Sequence, residues 1–232
     1  MSNLPGGPIS ARPLHFIFIA DCSGSMGGDK IQSLNFAVRE ALPNMREVAL
    51  ANPNAQVLVR AVRFATGAQW HVSQPTKVED FQWQDLSADG STDMGKAMVL
   101  VADALKTPPM TERALPPVLV LLSDGEPTDD FSSGLKVLME QPWGKKAVRL
   151  AIAIGEGANR EVLERFMAHP ELKPLQANNS EMLVKYIRWA STAVLQAASA
   201  PASQARLANG VNVPLPAVPL PSADPASVND VW

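Results

Sequence analysis

The sequence is poor in the residues that cross-link secreted domains or build zinc sites. Cys22 is the only cysteine among 232 residues, so no intramolecular disulfide can form and nothing indicates an oxidising compartment. His15, His71 and His169 lie far apart without zinc-ligand spacing, and we expect structural roles for them. No stretch approaches the roughly 20 apolar residues of a membrane-spanning helix, and residues 1–13 lack the apolar core of a signal peptide. These absences predict a cytoplasmic protein that does not enter a membrane.

Neither positive nor negative charge is in large excess. The net charge is −3 and the isoelectric point is near 5.6, which gives no general attraction to nucleic acids or anionic membranes. The small basic group Lys145, Lys146 and Arg149 is interrupted by apolar residues, which favours the entrance of a strand over a phosphate-binding track. We therefore expect no nucleic-acid partner.

Apolar runs alternate with segments of helical period along most of the chain. Residues 14–20, 118–122 and 148–154 are almost continuously apolar, which is typical of strands buried on both faces of a parallel sheet. Residues 56–65 and 68–73 are too close together for a crossover helix and predict an antiparallel hairpin at one edge. With a short strand near Leu175, this predicts a doubly wound α/β fold with a mostly parallel six-stranded sheet, one antiparallel edge strand, and helices on both faces.

Helix boundaries follow from capping residues and from proline. The first helical pattern contains Pro43, so we expect a kink there or a restart of the helix. Asp93 is predicted to cap the helix that starts at Met94, and Asp129 and Asp130 to cap the helix that starts at Phe131. Two further helices are predicted at residues 159–168 and 180–198, the second capped by Asn178 or Ser180.

Composition divides the chain into three parts. We predict an N-terminal extension at residues 1–11, one domain at residues 12–198, and a tail at residues 199–232. The tail has six prolines and few charges, so it cannot build a core and is predicted to be disordered or extended. Its spaced apolar residues and Trp232 leave two interpretations open, a passive tail or an interaction peptide.

Five side chains with oxygen atoms lie after or between the predicted strands, in a pattern that could form one binding site. Asp21, Ser23 and Ser25 come directly after the first strand, Asp124 follows the strand at residues 118–122, and Thr92 lies between them. Loops at the carboxyl ends of neighbouring parallel strands converge on one crevice, so these side chains are expected to meet. The intervening glycines allow the sharp backbone turns that such a loop needs.

The donor set indicates a hard divalent cation. Mg²⁺ takes near-octahedral oxygen coordination, keeps waters and uses one or two protein carboxylates, which two aspartates and three hydroxyls satisfy. The two carboxylates cancel the charge of the ion, which leaves a coordination position that a partner's carboxylate could take from water. We therefore predict a Mg²⁺ site, with Mn²⁺ or Ca²⁺ as substitutes, that binds and does not catalyse.

This pattern resembles the metal-ion-dependent adhesion site of von Willebrand factor A domains. All five positions match, and the resemblance covers residues 12–198. It implies that Ser23 and Ser25 are direct ligands, that Thr92 and Asp124 exchange direct and water-mediated roles, and that an acidic residue of a protein partner completes the coordination.

Residues 121–129, Leu-Leu-Ser-Asp-Gly-Glu-Pro-Thr-Asp, are most similar to the stand-alone bacterial branch associated with tellurium resistance. That resemblance implies a scaffold or regulator that works with a protein kinase and a PP2C-type phosphatase.

Two other functions share parts of this pattern. A partner subunit for an AAA+ ATPase of the MoxR or chelatase kind would use the same site on a different partner. A Mg²⁺-dependent phosphatase or phosphotransferase would use Asp21 as a phosphoryl acceptor. The second is disfavoured because Ser23 is not an acid and because the sequence places no lysine at the crevice.

Overall fold

The computed structural model describes residues 11–169, 171–199 and 217–219. Its strands are β1 (Arg12–Asp21), β2 (Ala55–Ala65), β3 (Gly67–Lys77), β4 (Val118–Ser123), β5 (Val148–Ile154) and β6 (Leu175–Ala177). Its helices are α1 (Asp29–Leu50), α2 (Met94–Ala104), α3 (Phe131–Glu140), α4 (Pro142–Lys146), α5 (Arg160–Met167) and α6 (Ser180–Ser199). The N-terminal extension and most of the predicted tail lie outside the described residues.

The strands form one six-stranded sheet in the order β3-β2-β1-β4-β5-β6. Every neighbouring pair is parallel except β2 and β3, which form the antiparallel hairpin at one edge. The predicted fold class is therefore confirmed, including the short strand at Leu175. The central strands are buried because helices cover both faces, which explains their continuous apolar character.

Alternate residues of β1 serve the two faces of the sheet. Leu14, Phe16 and Phe18 pack into the core under α1 and α6, while Ile17 and Ile19 pack under α2, α3 and α5. This alternation follows from the two-residue period of a strand. The parallel pairing of β1 with β4 brings the carboxyl ends of these two strands side by side, since Ala20 pairs with Leu122.

Helix α1 continues through Pro43 without a restart, so that alternative is wrong. A proline removes one backbone donor from a helix, but Ala41, Leu42 and Met45 on either side of it are buried in the core. Packing of this apolar face outweighs the missing hydrogen bond. The sequence also missed α4, in which Lys145 and Lys146 lie before β5 begins.

No described helix is both long and apolar enough to cross a membrane. The longest, α1, carries a polar and charged outer face that includes the exposed residues Arg39 and Glu40.

His15 makes the stability of this fold depend on pH. Burial in β1, and secondarily the charge of Arg60, lower the pKa of His15 to about 4. The unfolded chain therefore binds more protons than the folded chain between about pH 6.5 and pH 4, and stability falls as the pH falls through that window. We expect a loss of up to about 3 kcal/mol at pH 4, reduced by the partial exposure of the ring.

Urea unfolding at pH 7 and pH 4.5 measures this loss. His15→Gln is expected to remove the histidine contribution to it, while His71→Gln in β3 serves as the matched control. An equal pH dependence in wild type and His15→Gln would contradict the assignment to His15.

Candidate metal site

Asp21 is held rigidly at the carboxyl end of β1. Its side chain is fully buried, and its Oδ1 accepts a hydrogen bond from the backbone N–H of Ser23 at 2.8 Å. Its Oδ2 accepts a hydrogen bond from Ser123 Oγ at 2.5 Å, since β4 runs beside β1. Both carboxylate oxygens are therefore oriented by neighbouring groups of the chain.

The serine hydroxyls join Asp21's loop to the loop that follows β4. Ser23 Oγ lies 3.0 Å from Ser25 Oγ, and Ser25 Oγ donates to Asp124 Oδ1 at 2.8 Å. Ser25 is exposed while Ser23 and Asp124 are buried. Four of the five predicted residues are thus brought together, with the exposed hydroxyl at the mouth of the site.

A third loop, residues 78–93, brings Thr92 to the same place. Gly24 N donates to Gly90 O at 2.9 Å, and Asp89 N donates to Cys22 O at 2.7 Å. Gly90 has a positive φ of 81°, a backbone conformation that L side chains rarely adopt. This glycine lets the loop run close beside the Asp21 loop and then turn into Thr92.

Thr92 is fixed against the loop that carries Asp124. Its backbone N–H donates to Thr128 Oγ1, and its carbonyl accepts from Thr128 N, both at 2.9 Å. A Cβ added to Gly125 would lie 3.7 Å from both Ser25 Oγ and Thr92 Oγ1. The hydroxyls of two different loops therefore face the same small space, and the sequence-predicted residues converge there.

Asn35 of α1 anchors the Thr92 loop from below. This buried side chain accepts hydrogen bonds from Trp83 Nε1 at 3.0 Å and Leu86 N at 2.9 Å, and it donates to Leu86 O at 2.9 Å. These bonds hold a loop that has no helix or strand of its own. This anchor could not be predicted from the sequence, because a single asparagine in a helical pattern indicates nothing specific.

We expect Asn35→Leu to lower the free energy of unfolding by about 2–4 kcal/mol, because it leaves buried loop donors and an acceptor without partners. We also expect weaker metal binding, since Thr92 loses its support. Chemical denaturation and calorimetric Mn²⁺ titration measure the two effects. Asn44→Leu, on the exposed part of the same helix, is the control, and equal behaviour of the two variants would exclude the anchoring role.

Lys30, which is not among the residues predicted from the sequence, contacts Asp124 at the site. Its Nζ lies 2.5 Å from Asp124 Oδ2, and the two side chains are 23% and 1% exposed. A lysine in the first turn of a helix is disfavoured by the helix dipole, so sequence rules gave no reason to select it. The expectation that no lysine lies at the crevice is therefore wrong, and the lysine content of the crevice does not disfavour a phosphotransferase.

Two predicted caps have different roles from those expected. Asp93 does not cap α2 through its side chain; it accepts from Gly67 N and Lys96 Nζ, both at 2.7 Å. Asp129 caps α2 instead, since it accepts from the N–H groups of Gly95 and Lys96 at 2.8 Å. Of the two predicted caps for α3, only Asp130 has that role, through Ser133 N at 3.0 Å.

The predicted cap of α6 is also corrected. Asn179, which lies between the two predicted residues, accepts a hydrogen bond from Met182 N at 2.9 Å. A side-chain oxygen one residue before a helix reaches the third helical N–H. The consecutive polar residues Asn178, Asn179 and Ser180 are all candidate caps in the sequence. The path of the backbone into α6 decides which of their side chains reaches a free N–H group of the helix.

Burial dominates the electrostatics of the site. It raises the pKa of Asp21, with the nearby Asp124 charge acting in the same direction and the serine hydrogen bonds opposing both. Burial also raises the pKa of the Cys22 thiol to about 12, so this side chain is a packed apolar group and not a nucleophile. Outside the crevice, the Lys96 hydrogen bond lowers the pKa of Asp93.

The residues present fit a hard divalent cation. The described part of the chain has no cluster of three or more His, Cys, Asp or Glu side chains that could hold a metal. A cation here would therefore depend on hydroxyl oxygens besides Asp21 and Asp124, the donor chemistry that suits Mg²⁺ and poorly suits softer metals. The cradle around Gly125 supplies such oxygens from Ser25 and Thr92.

Comparisons with known proteins agree with this fold. The sequence-family model of the von Willebrand factor type A domain matches residues 16–187. A search of curated proteins found no match. Among solved structures, a von Willebrand factor type A protein from Catenulispora acidiphila is 19% identical with a TM-score of 0.58, over 79% of this chain and 43% of that chain. The ArnB paralog VWA2 from Sulfolobus acidocaldarius is 18% identical with a TM-score of 0.55, over 78% and 45%.

A third similar structure contains a metal. Proximal thread matrix protein 1 from the mussel byssus, solved with a zinc-occupied MIDAS motif, is 17% identical with a TM-score of 0.59, over 80% of this chain and 48% of that chain. The present chain spans less than half the length of these three structures. At these identities the likeness concerns the fold alone.

Proposed function

The chain belongs to the von Willebrand factor type A domain family, and from that premise we propose that it is a Mg²⁺-dependent protein-binding module and not an enzyme. The observation that carries the proposal is the convergence of Asp21, Ser23, Ser25, Thr92 and Asp124 from three loops at one end of the sheet. These residues would hold the ion. When bound, the ion would supply an electrophilic position for a carboxylate of the partner.

The chain's own groups leave one side of the site open. Gly24, Ser25, Gly90 and Glu126 are exposed around buried Asp21 and Asp124. A partner surface can therefore approach the mouth of the site without displacing the core. Exposed hydroxyl and backbone groups there can donate hydrogen bonds to that surface or accept hydrogen bonds from it.

The position of Asp21 supports binding over phosphoryl transfer. A phosphoryl acceptor needs a carboxylate oxygen that an incoming phosphorus atom can reach. Asp21 has no exposed surface, and each of its two oxygens accepts a hydrogen bond from the chain. Asp21 is therefore inaccessible to an incoming phosphorus atom, while the exposed hydroxyl of Ser25 lies at the mouth.

The proposed setting is a cytoplasmic bacterial stress system in which the module scaffolds a protein kinase and a PP2C-type phosphatase. Support comes from residues 121–129, whose sequence carries the resemblance to the tellurium-resistance branch. Proteins retained by the full chain in Mg²⁺ and released by EDTA can be identified by mass spectrometry. A kinase or phosphatase among them supports this setting, while an AAA+ ATPase in their place would replace it.

The binding proposal itself is tested by calorimetric titration of the full chain with Mg²⁺ and Mn²⁺ and by retention of the partner. Asp21→Asn keeps the size of the buried side chain, whereas alanine would leave Ser23 N and Ser123 Oγ without an acceptor. We expect Asp21→Asn and Ser25→Ala to lose metal binding and metal-dependent retention, and Ser87→Ala, at an exposed loop serine, to keep both. Retention that survives EDTA and both variants would refute the proposal, and phosphate release lost in Asp21→Asn would favour an enzyme.

A further inference from the structure

A groove lies on the outer surface of α6, on the α1 side of the sheet and separate from the metal site. Its walls come from one face of α6, including Val184, Trp189 and Thr192, and from Phe36 of α1. With Pro219 along one wall, the groove keeps an open volume of about 850 Å³, which lies in the range of sites that bind a ligand. Phe36 is 47% exposed, so a large aromatic side chain lines the groove without being covered by the domain core.

Three residues from far along the chain pack against the domain beside this groove. Trp189 Nε1 donates a hydrogen bond to the carbonyl of Ala217 at 3.1 Å. Val218 packs against the hydrophobic core that contains Trp189, and Pro219 lines the groove itself. The contact thus combines one directional hydrogen bond with the packing of two apolar side chains.

This combination is the recognition chemistry of proline-rich peptides. Proline has no N–H, so such segments offer carbonyl acceptors with few competing donors, and they lose little conformational entropy on docking. An aromatic wall with an indole donor matches both properties. Residues 213–221 read Val-Pro-Leu-Pro-Ala-Val-Pro-Leu-Pro, in which the tetrapeptide Val-Pro-Leu-Pro occurs on each side of Ala217.

We propose that the α1–α6 groove is a docking site for a proline-rich segment, and that its occupant is this chain's own C-terminal stretch, bound through Ala217, Val218 and Pro219. The site does not depend on the metal or on its partner. Of the two copies of the tetrapeptide, the second provides the valine and the proline that contact the groove.

The chain can reach its own groove easily. Trp189 lies ten residues before the end of α6 at Ser199, which is about 15 Å along a helix axis. The segment between Ser199 and Ala217 is long enough to cover that distance several times at about 3.3 Å per residue. Covalent linkage raises the effective concentration of the segment to about the millimolar range, which favours the chain's own segment over one from a second molecule.

The indole N–H of Trp189 reports on occupancy. In ¹⁵N-labelled full-length protein, its resonance can be assigned by its loss in Trp189→Phe. We expect Val218→Asp to shift this resonance and to accelerate its exchange with solvent about three- to tenfold, the factor for losing one half-buried apolar side chain. Val213→Asp makes the same change in the first tetrapeptide copy and is expected to leave the resonance unchanged.

A synthetic peptide of residues 213–221 tests whether the groove recognises the segment in trans. Added to full-length Val218→Asp, it is expected to restore the wild-type resonance saturably, and a peptide with aspartate in place of Val218 is expected not to. Added to wild type, it should need at least about tenfold more peptide, because the chain's own segment competes.

Three results would overturn the proposal. One is an unchanged Trp189 resonance in Val218→Asp, and another is an effect of Val213→Asp alone. The third is a wild-type resonance that shifts on dilution, since the docked segment would then come from a second copy of the chain.

Discussion

Lys30→Met is expected to bind Mn²⁺ at least about tenfold more tightly than the wild-type chain, because it removes a cation that competes for Asp124. The ammonium of Lys30 lies 2.5 Å from Asp124 Oδ2, and the Asp124 side chain is only 1% exposed. A charge-assisted hydrogen bond of this kind contributes about 1.5–3 kcal/mol. A metal that takes Asp124 must replace this bond, so its removal strengthens metal binding.

The same substitution should have the opposite effect on the protein in EDTA. Without Lys30, Asp124 is a buried carboxylate that has lost its counter-charge, and we expect the free energy of unfolding to fall by about 1–3 kcal/mol. The stabilisation on adding Mg²⁺ should therefore be larger in Lys30→Met than in wild type. Thermal unfolding with and without Mg²⁺ measures this difference.

Lys136→Met, which removes an exposed lysine from α3, controls for the loss of one positive charge. It is expected to change metal affinity little, since charges well separated in water are screened. Weaker Mn²⁺ binding by Lys30→Met would mean that Lys30 supports the metal-bound state and does not compete with the metal for Asp124.

The central part of the fold could be predicted because its signals are local. A strand buried on both faces has to be apolar throughout, so β1, β4 and β5 were recognisable from residues 14–20, 118–122 and 148–154. The positions of Asp21 and Asp124 followed from these strands, since parallel neighbours end at the same edge of a sheet. Their convergence therefore needed no knowledge of the intervening residues.

The remaining features depend on contacts that no local pattern contains. Asp129 caps a helix that begins 35 positions earlier in the chain, at Met94, although spacing alone assigned it to the helix that follows it. Lys30 contacts Asp124 only because α1 starts beside the loop after β4. In both cases the residue type was visible in the sequence, but its partner was selected by the packing of distant elements.

The close packing of α2 against α3 gives the second large effect, which we expect for Gly134→Ala. Alanine in place of glycine inside a helix ordinarily stabilises by up to about 1 kcal/mol. Here a Cβ on Gly134 would lie 2.7 Å from the Cα of Gly95 and still closer to its carbonyl oxygen, so the helices must separate. We expect the free energy of unfolding to fall by about 1–3 kcal/mol, the usual cost of overpacking.

Gly134→Ala should also weaken metal binding, although Gly134 is not among the predicted ligands. Helix α2 begins two residues after Thr92, and α3 begins shortly after the Asp124 loop. Separating these helices is expected to break the hydrogen bond from Thr92 N to Thr128 Oγ1. The Thr92 hydroxyl would then move away from its position beside Ser25 Oγ around Gly125. Urea unfolding and Mn²⁺ titration measure the two losses together.

Gly157→Ala is the matched control, because a Cβ there would meet no atom within 4 Å. It should leave both stability and Mn²⁺ affinity near their wild-type values. A Gly134→Ala protein that is stabilised would exclude the close helix contact. One that is destabilised but binds Mn²⁺ normally would show that the α2–α3 contact stabilises the fold without positioning Thr92, and Asn35 would then be left as the main support of that loop.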